Sequence, residues 1–130
     1  MVLLITTITV SLSALLGLYL AYLTVVARKR SKIGVGSGDD HALQLRIRSH
    51  GNLVEYAVFA LPLLGLLEQN QAPQWLVALL ALLWLSGRVL HPWGLIAGEG
   101  KYHVGRFSGT LLTWFSIAAL AIANVVMVLL

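Results

Sequence analysis

Apolar residues fill four long runs of the chain, and short polar stretches separate these runs. Each run is long enough to cross a bilayer as a helix, which takes about 20 apolar residues. The pattern predicts transmembrane helices at residues 1–27, 43–67, 73–98 and 106–130. The short alternating segments typical of membrane barrels do not occur in the sequence. We therefore predict an all-α membrane protein, an up-and-down bundle of four transmembrane helices, in which residues 1–130 form a single domain.

The polar stretches predict the orientation and the ends of the helices. Four of the five residues 28–32 are basic, so the positive-inside rule places this end of the bundle in the cytoplasm and both termini outside. Attraction to anionic lipid alone also explains such a cluster. Either Asp39 or Asp40 is positioned to cap the second helix, and Pro62 predicts a kink within it. The pairs Gly94/Gly98 and Gly105/Gly109 predict close contact between the helices that carry them.

The composition excludes several classes of protein and of chemistry. Hydrophobic residues make up 58% of the chain and charged residues 11%, whereas soluble domains are about 25% charged. The absence of cysteine excludes disulfides, cysteine metal sites and a cysteine nucleophile. The two aspartates both lie in the glycine-rich loop, so a Ser/His/Asp triad has no support. Any thiol chemistry therefore needs a thiol that a ligand brings in.

Polar residues open the second apolar run, where they are costly in hydrocarbon. Arg48, Asn52 and Glu55 follow each other at helical spacing and share one face of the predicted helix. Arg46 and His50 form a neighbouring stripe. Two interpretations stay open from these residues. They either form a buried network that fixes the packing of the bundle, or they bind a small charged ligand reached from the membrane surface.

An up-and-down bundle brings the ionisable residues of all four helices to the same end. These residues are Arg28, then Arg48, Asn52 and Glu55, then Arg88 and His91, then Arg106. Guanidinium groups bind carboxylates through paired hydrogen bonds, and a carboxylate such as Glu55 suits an amine. Glu55 lies about 10 Å along the helix from Arg48, which suits an extended, peptide-sized ligand. Metal binding is disfavoured, because His50 and His91 lack a ligand spacing and arginines repel cations.

The segment from Arg48 to Tyr56, the loop before it and the segment from Gly87 to His91 resemble the MAPEG family, the membrane-associated proteins in eicosanoid and glutathione metabolism. The resemblance covers essentially the whole chain and is strongest to the bacterial branch. It implies a homotrimer in the bacterial inner membrane, with glutathione bound between neighbouring subunits near the cytoplasmic side. It also implies a lipophilic electrophile or lipid hydroperoxide as second substrate, which enters from the membrane lipids along a groove between helices one and four. No nucleic-acid partner is expected.

The resemblance assigns roles to individual residues by position. It implies that Arg106 lies against the glutathione sulfur and favours its thiolate, and that Arg28 reaches the ligand of a neighbouring subunit. The other implied glutathione contacts are Arg48, Asn52, Glu55, Tyr56, Arg88 and His91.

Two departures from the family pattern bear on the activity. Gly51 replaces a second arginine and Leu95 replaces a ligand-touching tyrosine of some members, and Tyr102 or His103 are candidates to substitute for that tyrosine. These changes argue against a specialised prostaglandin or leukotriene synthase and favour a general glutathione transferase or peroxidase. The alternative is a non-catalytic bundle whose basic rim binds anionic lipid or a partner membrane protein. A transporter has little support, because the outer half of the bundle is almost purely apolar.

Overall fold

A computed structural model of the protein describes residues 3–129, and they form four α-helices. These are α1 (Leu4–Ser31), α2 (His41–Gln69), α3 (Gln74–Ala97) and α4 (Val104–Leu129). All four are long and apolar enough to span a membrane, and residues 3–129 contain no strand. The predicted all-α bundle of four spans is confirmed. The predictions for residues 1, 2 and 130 lie outside the described residues.

The basic cluster extends α1 by one turn beyond the predicted end. The helix was expected to stop at residue 27, but it continues to Ser31, and Lys32 follows in the left-handed region with φ 54°. The backbone N–H of Lys32 donates to the carbonyl of Arg28 and closes the last turn. Cations near the carboxyl end of a helix interact favourably with its dipole, so the cluster prolongs the helix instead of ending it.

Asp40 joins the end of α1 to the start of α2. Its carboxylate accepts a hydrogen bond of 2.8 Å from the Leu43 amide and another from the Ser31 hydroxyl. The Ser31 hydroxyl and the Leu43 amide hold the pKa of the Asp40 carboxyl below its usual range. The prediction of a capping aspartate is thus confirmed at Asp40. The cap lets α2 begin at His41, two residues before the predicted start.

The prolines do not end the helices that contain them. The helix α2 continues through Pro62 to Gln69, and α3 continues through Pro92 to Ala97. Pro73 is the N-cap of α3 and precedes its first turn, one position earlier than expected. The fixed φ of proline suits either position at the start of a helix.

The helices pack as a rhombus with α2 and α3 at its centre. Each helix packs against the next along the chain, α3 and α4 most extensively, and α1 also meets α3 while α2 also meets α4. Within residues 3–129, α1 and α4 make no contact with each other. The expected groove between helices one and four therefore does not exist inside a single chain. Forming such a groove requires two copies.

The apolar core fills the half of the bundle away from the basic end. Its buried members come from α2, α3, α4 and the turn between α2 and α3, and include Leu64, Leu67, Val77, Leu80 and Leu120. Close van der Waals contact between these large aliphatic side chains holds the three helices together. The polar residues discussed below are thereby left at the opposite end, where the loops after α1 and α3 lie.

A carboxylate from α2 caps the amino end of α1. Glu68 is buried, and its two oxygens accept hydrogen bonds from the amides of Ile5 at 3.0 Å and Thr6 at 2.7 Å. These amides belong to the first turn of α1, where no carbonyl of the helix can pair with them. Glu68 lies in the polar stretch between the second and third apolar runs, and its role could not be predicted because a cap distant in sequence leaves no local pattern.

Glycines allow α3 and α4 to approach each other closely. A methyl group added to Gly109 would lie 2.6 Å from the backbone nitrogen of His91, and one added to Gly94 would overlap the backbone nitrogen of Arg106. Backbone atoms cannot move aside as a flexible side chain does. The predicted close contact of the glycine pairs is confirmed for this pair of helices.

Replacing Gly94 by alanine tests the importance of this contact. We expect Gly94→Ala to lower the free energy of unfolding by about 1–3 kcal/mol, because the added methyl group forces the helices apart. The measurement is denaturant unfolding in detergent, followed by tryptophan fluorescence.

Gly65→Ala is the matched control, since its added methyl group meets Thr6 at an ordinary 3.5 Å. This variant should be neutral or more stable by up to about 1 kcal/mol. Equal stability of the two variants would contradict the proposed role of the close contact.

Candidate functional site

A polar cavity of about 240 Å³ lies between α2, α3 and α4 near the loop that joins α3 to α4. Four of the predicted site residues line it: Arg48 and Asn52 from α2, His91 from α3 and Arg106 from α4. The other lining residues are His41, Gln44, Leu45, Leu95 and Gly100. The antiparallel order of the helices thus brings together residues that are far apart in the sequence, as predicted.

Arg88 lies behind Asn52 instead of in the wall of the polar cavity. Its side chain is 1% exposed, and Nη1 donates to the Asn52 side-chain oxygen at 2.9 Å. Nη2 donates to the hydroxyl of Thr113 on α4. The guanidinium also lies 5.4 Å from the ring centre of Tyr56 and 5.3 Å from that of Trp84, within the range of cation–π attraction.

The contacts of Arg88 continue to α1 through Trp84. The indole nitrogen of Trp84 donates to the Ser13 hydroxyl at 3.0 Å, and both side chains are buried. Ser13, Asn52, Trp84 with Arg88, and Thr113 belong to the four different helices. A buried polar group needs such partners, because water is excluded. Within one chain Arg88 therefore contributes to the packing of the helices, and its implied contact with glutathione stays a prediction.

Arg48 and Glu55 form an ion pair of 3.2 Å on the outer face of α2. This contact between residues seven positions apart confirms the prediction that they share one helical face. The two side chains are 57% and 54% exposed. Glu55 does not line the polar cavity, so within one chain its carboxylate faces Arg48 and the surroundings of the bundle.

His91 is buried at the wall of the polar cavity, and its Nδ1 has no hydrogen-bond partner among residues 3–129. The Nε of Arg88 is buried and unpaired in the same way. Buried nitrogens without partners are uncommon in folded proteins and require a reason. Of the two residues only His91 lines the polar cavity, and unpaired buried oxygens also occur at Thr6 and Asn124, which lie outside it.

Arg106 borders two cavities at once. Its Nη1 donates to the Gly100 carbonyl at 2.6 Å, which holds the guanidinium against the loop after α3. On one side lies the polar cavity, and on the other a second cavity of about 230 Å³ runs along α4. We name this second space the aromatic cavity, and Arg106 shares its wall with Tyr102, His103, Phe107, Thr110, Leu111 and Trp114.

Tyr56 joins the site through the aromatic cavity. Its hydroxyl accepts a hydrogen bond of 2.8 Å from the indole nitrogen of Trp114. Its ring lies beside the Arg88 guanidinium. Tyr56 is thus held between the Arg88 network and the aromatic cavity, and it does not line the polar cavity.

Arg28 is the predicted site residue that the single chain does not bring to the others. Its Nη1 donates to the Gly36 carbonyl at 2.8 Å, in the loop that follows α1. It lines neither the polar nor the aromatic cavity. The rhombic packing explains this, because α1 and α4 lie at opposite corners. The expected contact of Arg28 with the ligand of another subunit stays a prediction.

His41 and Gln44 line the polar cavity and were missed by the sequence analysis. Both continue the face of Arg48 and Asn52 towards the start of α2, at helical spacing. A helix that begins at residue 43 excludes His41, so the position of His41 on this face could not be predicted from helical spacing. In the structure its Nε2 lies 2.9 Å from the Glu99 carbonyl oxygen, so it also ties α2 to the loop after α3.

The positions that depart from the family pattern fall in different places. Leu95 lines the polar cavity, whereas Gly51 does not. Tyr102 and His103 line the aromatic cavity, where the ring of His103 meets that of Trp93 edge-on at 5.0 Å. Neither Tyr102 nor His103 lines the polar cavity, so within one chain they do not substitute there for the tyrosine that Leu95 replaces.

The arrangement defines a class: a four-span membrane protein with an arginine-rich polar site at one end of the bundle. Within that class, a sequence model of the MAPEG family matches residues 6–126, and the chain belongs to this family. It is 34% identical over 113 residues to the inner membrane protein YecN of Escherichia coli K12, covering 87% of this chain and 84% of YecN. It is 34% identical over 99 residues to the uncharacterized protein sll1147 of Synechocystis, covering 72% and 70%. No solved structure matches the chain significantly.

Arg88 and Arg48 should differ in their effect on stability. Arg88→Met removes the donor to the half-buried oxygen of Asn52 and to the buried hydroxyl of Thr113, so we expect a loss of at least about 2 kcal/mol in the free energy of unfolding. Arg48→Met breaks an exposed ion pair and should change it by less than about 1 kcal/mol. Denaturant unfolding in detergent measures both. Similar losses in the two variants would contradict the distinction between a packing residue and a cavity residue.

Proposed function

We propose that this protein is a glutathione transferase of the bacterial inner membrane, or a peroxidase in which two glutathione molecules are oxidised to the disulfide while a lipid hydroperoxide is reduced to the alcohol and water. The observation that carries the proposal is the position of Arg106 between a polar and an aromatic cavity. From this position the Arg106 cation could contact the thiol of a ligand in the polar cavity, beside an apolar electrophile in the aromatic cavity. Membership of the MAPEG family and the inner-membrane description of YecN support the proposal.

The polar cavity offers the groups that glutathione needs. Arg48 suits a carboxylate of glutathione, because a guanidinium donates two parallel hydrogen bonds to a carboxylate. Glu55, held beside Arg48, suits its amine. Asn52 and His91 add neutral polar groups. We propose His41 and Gln44 as further contacts, in addition to those the sequence predicted.

A neighbouring copy is proposed to complete this site. The polar cavity of one chain, about 240 Å³, is smaller than the about 300 Å³ at which small-molecule sites begin. Arg48 and Glu55 are more than half exposed on a membrane-spanning helix, which is costly unless protein or water covers them. A homotrimer would cover this face. It would also allow Arg28 of one subunit to approach the ligand of the next and α1 to meet a neighbour's α4.

Arg106 is proposed to stabilise the thiolate. The thiolate is the nucleophile, and a fixed cation beside a thiol lowers the pKa of that thiol. The bond to the Gly100 carbonyl fixes the Arg106 guanidinium before the ligand arrives. The aromatic cavity along α4, with Phe107 and Trp114 in its wall, is proposed to hold the lipophilic electrophile that enters from the bilayer.

The first test is ultraviolet thiolate absorbance during titration of glutathione into the purified protein. We expect a saturable thiolate signal in the wild type and its loss in Arg106→Ala, with glutathione binding by calorimetry largely kept. Lys101→Ala is the control, because Lys101 is an exposed cation of the adjacent loop and lines neither cavity. A folded wild-type protein that binds glutathione without forming a thiolate would overturn the proposal.

The second candidate function is a non-catalytic bundle whose basic rim binds anionic lipid or a partner membrane protein. The basic residues at the end of α1, which lie outside the polar cavity, favour it. Arg48→Lys distinguishes the two candidates, since lysine keeps the charge and loses the paired donors. For a glutathione site we expect about tenfold weaker glutathione binding, the effect of one lost hydrogen bond to a carboxylate. Unchanged glutathione binding in this variant would favour the second candidate.

A further inference from the structure

A third cavity lies on the opposite side of α2 and α3 from the polar cavity. It measures about 530 Å³, shares no lining residue with the polar or the aromatic cavity, and opens between α1, α2 and α3. Aliphatic side chains of α1 and α3 form its walls: Leu16, Leu20 and Leu23 from α1, and Val89, Pro92 and Ile96 from α3. The volume lies within the range of small-ligand sites. We name it the lipid-facing cavity.

A basic cavity continues the lipid-facing cavity towards the end of α1. It measures about 260 Å³, and Leu23 and Arg46 line both spaces, so the two are adjacent. Arg30 adds a second guanidinium to its wall. The stripe of Arg46 is thus directed away from the polar cavity, and Arg46 has no place in the proposed glutathione site.

Arg30 and Arg46 have no ion-pair partner among the residues that the structure describes. The one carboxylate that lines the basic cavity is Asp40, and the Ser31 hydroxyl and the Leu43 amide already occupy it. Among residues 3–129 the ion pairs include neither Arg30 nor Arg46. An anion that enters the basic cavity therefore meets two guanidinium groups without an ion-pair partner and one carboxylate, so the wall carries a net positive charge.

The dimensions match one leaflet of a bilayer. Leu16 and Leu23 are about 10 Å apart along α1, and Leu16 and Arg30 about 21 Å. One leaflet has about 15 Å of hydrocarbon and reaches about 21 Å with its headgroup layer. The aliphatic walls thus lie at the depth of acyl chains when the arginines lie at the depth of headgroups. Trp93 at the edge of the lipid-facing cavity is of the residue type that anchors at this boundary.

We propose that these two cavities together bind one anionic phospholipid of the leaflet at the basic end. An acyl chain fills the lipid-facing cavity, and the headgroup phosphate binds between Arg46 and Arg30. Guanidinium groups suit phosphate oxygens through paired hydrogen bonds. A zwitterionic headgroup carries its own cation beside the phosphate and competes poorly for the same place. This site is independent of the proposed glutathione chemistry.

The test is native mass spectrometry of the detergent-purified protein with added dioleoyl phosphatidylglycerol or dioleoyl phosphatidylcholine. We expect the wild type to retain phosphatidylglycerol in preference to phosphatidylcholine. Arg46→Gln should weaken phosphatidylglycerol binding about fivefold, the effect of one arginine at a charged membrane surface. Ala97→Trp, which fills the mouth of the lipid-facing cavity, should remove the retained lipid of either kind.

Two control variants test whether lipid binding depends on the overall surface charge or on the mere presence of an added indole ring. Lys29→Gln removes a charge of the same cluster outside both cavities, and Ala118→Trp adds the same ring to an exposed alanine of α4. Both should bind phosphatidylglycerol as the wild type does.

Three results would overturn the proposal. The first is equal retention of the two lipids by the wild type. The second is equal weakening of phosphatidylglycerol binding by Lys29→Gln and Arg46→Gln, which would indicate a diffuse surface charge. The third is unchanged lipid retention in Ala97→Trp with an altered oligomeric state, which would make this face a contact between copies. Thiolate formation should be normal in Arg46→Gln, so failure here and failure of the proposed function are distinguishable.

Discussion

The buried guanidinium of Arg88 connects helices whose order and rotation apolar packing alone does not determine. Lipid tails are as apolar as leucine, so spanning helices gain little from hydrophobic burial against each other. Arg88 has hydrogen-bond partners on α2 and α4 and stacks on Trp84, which in turn binds α1 through Ser13. A bundle packed in another rotation or order would leave this charge unpaired inside the membrane, which costs several kcal/mol. The network thereby selects one arrangement and places Asn52 at the polar cavity.

The position of Arg106 follows from that arrangement and from the glycines between α3 and α4. Close approach of the two backbones puts the first turn of α4 against Gly94. The guanidinium of Arg106, in that turn, therefore reaches the loop after α3. The same approach separates a polar space from an aromatic space with one arginine in both walls. Packing and candidate chemistry therefore depend on the same contact. A change that loosens it moves the cation as well as the helix.

The sequence predicts most residue positions along the membrane normal, but it does not predict which helices lie side by side. Apolar runs and basic ends place each residue along the membrane normal, and the alternation of direction then predicted the common level of Arg48, Asn52, His91 and Arg106. Which helices touch depends on side-chain fit, so neither the separation of α1 from α4 nor the position of Arg28 could be read from the pattern. His41 was not predicted for a different reason, since its place on the helix depends on the exact cap at Asp40.

The cap that Glu68 provides has a consequence for the synthesis of the protein. A chain leaves the ribosome from its amino end, so α1 is complete long before the carboxylate that binds its first turn exists. During that interval the amides of Ile5 and Thr6 can pair only with water or lipid headgroups at the membrane surface. They gain their permanent partner once α2 has been made and has crossed back. The structure thus favours insertion of α1 and α2 together as a hairpin, with the end of the second helix completing the first.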